Sequence, residues 1–196
     1  MLHKVLASLL ALFTIAFCPA AFAGSYGEVQ LAPSYKTSYR AVTGFFTPVA
    51  STTDATILQG SASKTVRITN VWLVTNAYVS AMSVFLIKRS TANSGGTSTT
   101  ATSVPLDSAN AAASVSGVKL YTANPTTGTS IGNVGQISIL GNGLATSNTN
   151  MIYNIYTASP LTQALVLRGT AEGAAINFNG VTGPTSISVI YEWTEE

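Results

Sequence analysis

From Ser186 to Trp193 the chain reads Ser-Ile-Ser-Val-Ile-Tyr-Glu-Trp. In an extended strand this puts Ile187, Val189, Tyr191 and Trp193 on one face and Ser188, Ile190 and Glu192 on the other. A helix of the same residues would scatter its apolar groups around the whole cylinder, so the pattern commits this stretch to a sheet with one buried face. The same alternation recurs in Val66–Ile68, Leu165–Arg168 and Ile176–Asn179. Val71–Val74 and Val84–Ile87 are apolar on both faces, as in strands covered on two sides. Thr56–Gln59, Val118–Tyr121, Gln136–Leu140 and Met151–Tyr156 bring the expectation to about nine short strands.

Between these runs lie Gly95-Gly96, Asn124-Pro125, Gly141-Asn142-Gly143, Asn179-Gly180 and Gly183-Pro184, residues that supply positive φ or a fixed proline φ at turns. Beyond the first segment no stretch sustains a helical period with caps. Many short strands with this punctuation predict an all-β chain, an antiparallel β-sandwich of jelly-roll-like form.

The first segment has a different purpose. Lys4 provides a basic start, Val5–Phe17 is an apolar run of thirteen residues, and Ala21-Phe22-Ala23 is a small-x-small cleavage pattern before Gly24. Thirteen helical residues span only about 20 Å, short of the roughly 30 Å of bilayer hydrocarbon. The expectation is a signal-peptide helix over 1–23, cleaved near Ala23, with membrane contact only in transit and an exported product that is periplasmic, cell-surface or extracellular. Phe17 before Cys18 argues against lipidation. An N-terminal aromatic-rich arm over 24–52 would follow, then a sandwich domain over 53–196.

Cleavage would remove the only histidine, His3, and the only cysteine, Cys18. The remaining residues 24–196 then hold eight basic and seven acidic side chains, a net +1. Such a chain has no Ser-His-Asp triad, no Cys-His pair and no Cys/His zinc site, and no disulfide is available within it. Its weak charge argues against nucleic acid, whose binders displace counterions with clustered Lys and Arg. No cofactor is expected, and the chain is read as non-enzymatic. The less favoured alternative is a glycoside hydrolase using two carboxylates from Asp54, Asp107, Glu172 and Glu192. Asp54 and Asp107 sit in turn-like settings, Glu172 lies near two glycines, and Glu192 alternates outward. Lys88-Arg89 reads as a solvated strand end.

Aromatic residues are the candidate contacts for a ligand or partner. Tyr26, Tyr35, Tyr39, Phe45 and Phe46 crowd the arm, and Tyr153 and Tyr156 fall on opposite faces of one strand if it is regular. Exposed, they would form a platform for a glycan; turned inward, they fill a core or an inter-subunit seam, the preferred reading. Trp72 and Trp193, inside strongly apolar runs, are expected in the core. Ser90–Gly117 is rich in Ser, Thr and Ala, with Asp107 its only acid. It reads either as an ordered excursion anchored by Val104–Leu106 or as a mobile tip that meets a partner, and the first is preferred.

Three strings carry a resemblance: Phe85-Leu86-Ile87-Lys88-Arg89-Ser90-Thr91-Ala92-Asn93-Ser94-Gly95-Gly96-Thr97, Tyr121-Thr122-Ala123-Asn124-Pro125, and the ending Tyr191-Glu192-Trp193-Thr194-Glu195-Glu196. Over roughly 53–196 the chain resembles small phage and prophage virion-associated proteins. The resemblance implies a jelly-roll-like domain that assembles on a particle surface as a decoration or fibre component. An export signal departs from assembly in the cytoplasm and leaves open a cellular surface protein sharing the domain. Both readings make this a structural protein that works by self-association, a homo-oligomer or surface assembly, with a carbohydrate-binding or adhesive module as the alternative.

Overall fold

The computed structural model describes residues 36–49, 51, 53–76, 81–139, 151–159, 161, 163–180 and 186–196. The expected leader, its cleavage point, Tyr26 and Tyr35 lie outside the described residues. No helix occurs among those described. The strands are β1 (Ser38–Val42), β2 (Asp54–Gln59), β3 (Val66–Thr75), β4 (Met82–Arg89), β5 (Thr97–Thr102), β6 (Val104–Pro105), β7 (Gly117–Ala123), β8 (Ser130–Ile139), β9 (Met151–Thr157), β10 (Leu165–Leu167), β11 (Gly173–Asn177) and β12 (Ile187–Glu195).

Two antiparallel sheets form a β-sandwich. Sheet A runs β6-β1-β12-β3, and β10 and β9 pair successive stretches of the far side of β3. Sheet B runs β5-β7-β2-β11-β4-β8. The alternation read at the carboxyl end holds: Ile187, Val189, Tyr191 and Trp193 are all fully buried on the inner face of sheet A. Opposite them sheet B contributes Leu58, Val84, Leu86, Val118, Ala174 and Ile176 to the same core. Trp193 stacks on Tyr39 with ring centroids 6.0 Å apart.

Several boundaries differ from the sequence reading. The compact unit begins at Lys36, not Thr53. Ser38–Val42 pairs with β12 on one side and β6 on the other, and it buries Tyr39 and Ala41. Val66–Ile68 and Val71–Val74 are one ten-residue strand, because an irregularity at Thr69 resets the alternation opposite Glu192/Trp193. Residues 90–117 are an ordered excursion. β5 edges sheet B, the chain crosses at Ser103, and Val104–Pro105 then edges sheet A, where the Leu106 amide donates to Ser38 O.

At the opposite side of the sandwich, β8 ends sheet B and β9 ends sheet A. A Cβ on Gly135 of β8 would lie 2.5 Å from the Ile155 carbonyl oxygen of β9, so the bare glycine allows the two sheet edges to approach.

Candidate functional site

The candidate aromatic residues are not gathered into one platform. Tyr39 is buried, and its hydroxyl donates to Ala111 O. Burial first, and then the charge of Glu195, raise its pKa above the ordinary tyrosine value. Phe46 is half-buried against the core, and Phe45 beside it is 50% exposed. Tyr153 and Tyr156 do not take opposite faces. A bulge at Ile155, opposite Val71/Trp72, puts Tyr153 across from Leu73 and Tyr156 across from Val71, and both rings pack on the core. The Tyr156 hydroxyl accepts the Leu165 amide, tying β9 to the start of β10.

The four carboxylates weighed for catalysis are engaged separately. Asp54 has no exposure and accepts Arg89 Nη2 at 2.6 Å, Arg89 Nε at 3.0 Å, Asn93 Nδ2 at 2.9 Å and Asn177 Nδ2 at 2.7 Å. Neither the turn reading of Asp54 nor the solvated reading of Arg89 survives. The segments flanking β5–β7 cross the outer side of sheet B and bury the pair. Arg89 Nη1 donates to Gly128 O, and the Gly128 amide donates to Asn93 Oδ1. Beneath this crossing lies a small second core of Ile57, Tyr121 and Ala175. Burial first, and also the nearby Asp54 charge, raise the Tyr121 pKa above the ordinary tyrosine value against the lowering effect of a hydrogen bond with Asn93. Asp107 accepts the Ala109 amide in a turn, Glu172 faces Lys88 at 3.4 Å, and Glu192 holds Arg40 at 2.7 Å. Among the described residues no three His, Cys, Asp or Glu side chains are grouped to hold a metal ion.

Glu195 is the acid that sequence reasoning missed. Its carboxylate is buried at one end of the core, where it accepts the amides of Ser114 and Val115 and the indole Nε1 of Trp193. Burial pushes its pKa up, but the Ser114 hydroxyl, these two amides and the indole together hold it below the ordinary glutamate value. The carboxylate therefore stays charged and fixes the loop before β7.

That loop forms one wall of a cleft of about 310 Å³. Its polar lining is Gln59 at the end of β2, Ser61 and Ser63 in the β2–β3 turn, Ser114 and Ser116 in the loop before β7, Lys119 in β7 and Thr170 in the β10–β11 turn. No acid and no aromatic ring lines it. The Ser61 hydroxyl oxygen accepts the amides of Ser63 and Lys64, and Gln59 Nε2 donates to Thr170 O, which shapes the walls.

A second surface feature is the outer face of sheet A. Residues paired across antiparallel strands share a face, so Val42, Ile190 and Trp72 form one row that ends on Asn154, and Ser188, Val74 and Ile152 form the next. Val42 is 50% and Ile152 is 72% exposed. Trp72, expected in the core, instead lies partly exposed in this stripe with the Arg40 guanidinium 5.9 Å from its ring centroid. The Arg40–Glu192 ion pair borders the stripe.

No family model, curated protein or solved structure matches this chain.

Proposed function

We propose that this chain is an exported, non-enzymatic jelly-roll protein that assembles with copies of itself into a surface or particle coat. The pairing order supports the jelly-roll reading. β1 pairs with β12 and β2 with β11; β12 then pairs with β3 and β11 with β4. β3 and β4 go on to pair with β9 and β8. A chain folded back from its two ends and rolled inward has this order, with alternate pairs falling in opposite sheets. β5–β7 is then an insertion that widens both sheets.

The observation that carries assembly is the stripe of Val42, Ile190, Trp72, Val74 and Ile152 on the outer face of sheet A. A half-exposed sheet normally shows polar residues to water, and an apolar row there gains free energy by being covered. Burying it against a second copy needs little desolvation of charge, because the neighbouring Arg40 and Glu192 already neutralise one another. The virion-associated resemblance supports a particle surface as the setting, and the leader supports export.

Sedimentation equilibrium of the Gly24–Glu196 product over about a hundredfold range of concentration tests the reading. The expected result is a mass above the monomer that rises with concentration; a monomer throughout overturns it.

A further inference from the structure

We infer that the cleft between the β2–β3 turn and β7 is a binding site for an acidic saccharide, a hydroxyl-rich ligand bearing carboxylate or sulfate groups. The inference stands on a different surface from the assembly stripe and does not depend on it.

The distribution of charge points there. Residues 36–196 carry eight basic side chains. Five of them are ion-paired: Lys36 and Arg67 with Glu196, Arg40 with Glu192, Lys88 with Glu172 and Arg89 with Asp54. The three without an acidic partner among the described residues are Lys64, Lys119 and Arg168. Lys119 lines the cleft, Lys64 follows the Ser61–Ser63 wall, and Arg168 opens the turn that brings Thr170 to the rim. Of the three, Lys119 alone lines the concavity; Lys64 and Arg168 are sequence neighbours of its lining segments.

The lining specifies the rest of the ligand. Ser63, Ser116 and Thr170 offer hydroxyls, and Lys119 offers an ammonium with three donors. Such a set suits a ligand that presents both hydroxyls and an anion, whereas an apolar ligand would leave these groups unpaired. The surrounding acids are otherwise occupied. Glu172 is turned toward Lys88 and the Arg168 amide, and Glu195 behind the wall is held by two amides and an indole. Glu195 also keeps Ser114–Ser116 in place, so the cleft is formed before a ligand arrives. With no aromatic platform, recognition falls to hydrogen bonds and charge.

Titration calorimetry of the full Gly24–Glu196 protein with oligogalacturonate, dextran sulfate oligosaccharide, neutral maltotetraose and duplex DNA tests this. Binding of one or both acidic sugars is expected, weakened at least about tenfold by Lys119→Gln and a few-fold by Ser116→Ala. The carboxylated and sulfated arms decide which anion the cleft takes. An unfolding curve for Lys119→Gln that overlays the parent shows that the loss is local. Four outcomes overturn the inference: neither acidic sugar binds, maltotetraose binds as well, Lys119→Gln binds normally, or DNA binds as tightly as the sugars. Val42→Lys, on the other surface, is expected to leave sugar binding unchanged whether or not the chain assembles.

Discussion

Asp54 on β2 and Arg89 on β4 form a bidentate ion pair, with contacts of 2.6 and 3.0 Å, although β11 runs between their two strands. Both ends are almost wholly removed from water, with relative side-chain exposures of 0% and 6%. Two amide side chains donate to the Asp54 carboxylate and a backbone carbonyl accepts from Arg89 Nη1. The pair thereby ties three strands of sheet B to the crossing segments at Asn93 and Gly128.

Removing one partner strands the other charge. Asp54→Asn is expected to cost about 3–5 kcal/mol, the range for breaking a buried pair from one side. A double change of Asp54→Leu with Arg89→Met is expected to cost less than Asp54→Asn alone, since no uncompensated charge is left. Urea denaturation of the three proteins measures both values. An Asp54→Asn curve coincident with the parent would show that the pair contributes nothing to stability.

Glu195 makes stability depend on acid. Its folded pKa lies below the ordinary glutamate value of 4.5, so the folded state binds its proton less readily than the unfolded chain. That contribution is present in full above the unfolded pKa and is lost as pH falls through the folded one. Stability in urea should therefore decline as pH falls below the ordinary glutamate range. Glu195→Gln should flatten part of this slope and lower stability at neutral pH, because a neutral amide cannot accept from two amides and an indole as a carboxylate does. A parallel decline in parent and variant would rule out Glu195 as a source of the slope.

The parts legible in the sequence are those where one face is buried and the other is wet. β12 announces itself because water and core impose a period of two on Ile187–Trp193, whereas β4 is legible as the unbroken apolar run Val84–Ile87. β5 was missed because Thr97–Thr102 is exposed on nearly every side chain, which leaves no hydrophobic period to read. The first half of β8 was hidden by Gly132, Asn133 and Gly135, residues rare in strands; Gly135 is needed for close approach to Ile155. Tyr153 and Tyr156 were misplaced because a bulge changes strand phase without a distinctive residue. Lys119 and Ser116 stood in the sequence without a motif, and only the topology brings them beside Ser61 and Thr170. Asp54 and Arg89, thirty-five positions apart, carried no sign that a loop would cover them.

Gly135 offers a direct check on how the sandwich closes. Gly135→Ala would set a methyl group 2.5 Å from the Ile155 carbonyl, and backbone must move because neither atom belongs to a flexible side chain. The expected cost is about 1–3 kcal/mol, as for other overpacked sites, despite the better strand propensity of alanine. Thermal melting gives the value. An alanine variant as stable as the parent would mean that the edges of β8 and β9 do not meet this closely in solution.

The apolar stripe on sheet A separates a role in assembly from a role in folding. Val42 and Ile152 are at least half exposed, so replacing each by lysine removes little buried area from the monomer. Stability should change by no more than about 0.5 kcal/mol per site, as for ordinary surface substitutions. In a covered interface the same two lysines would bury unpaired charge and oppose association strongly. The double variant Val42→Lys with Ile152→Lys is therefore expected to sediment as a monomer at concentrations where the parent associates, with an unchanged melting curve. Lys119→Gln, on the cleft, should associate like the parent. Association that persists undiminished in the double lysine variant would place the contact elsewhere, with the uncharged edge strand Thr97–Thr102 the next surface to alter.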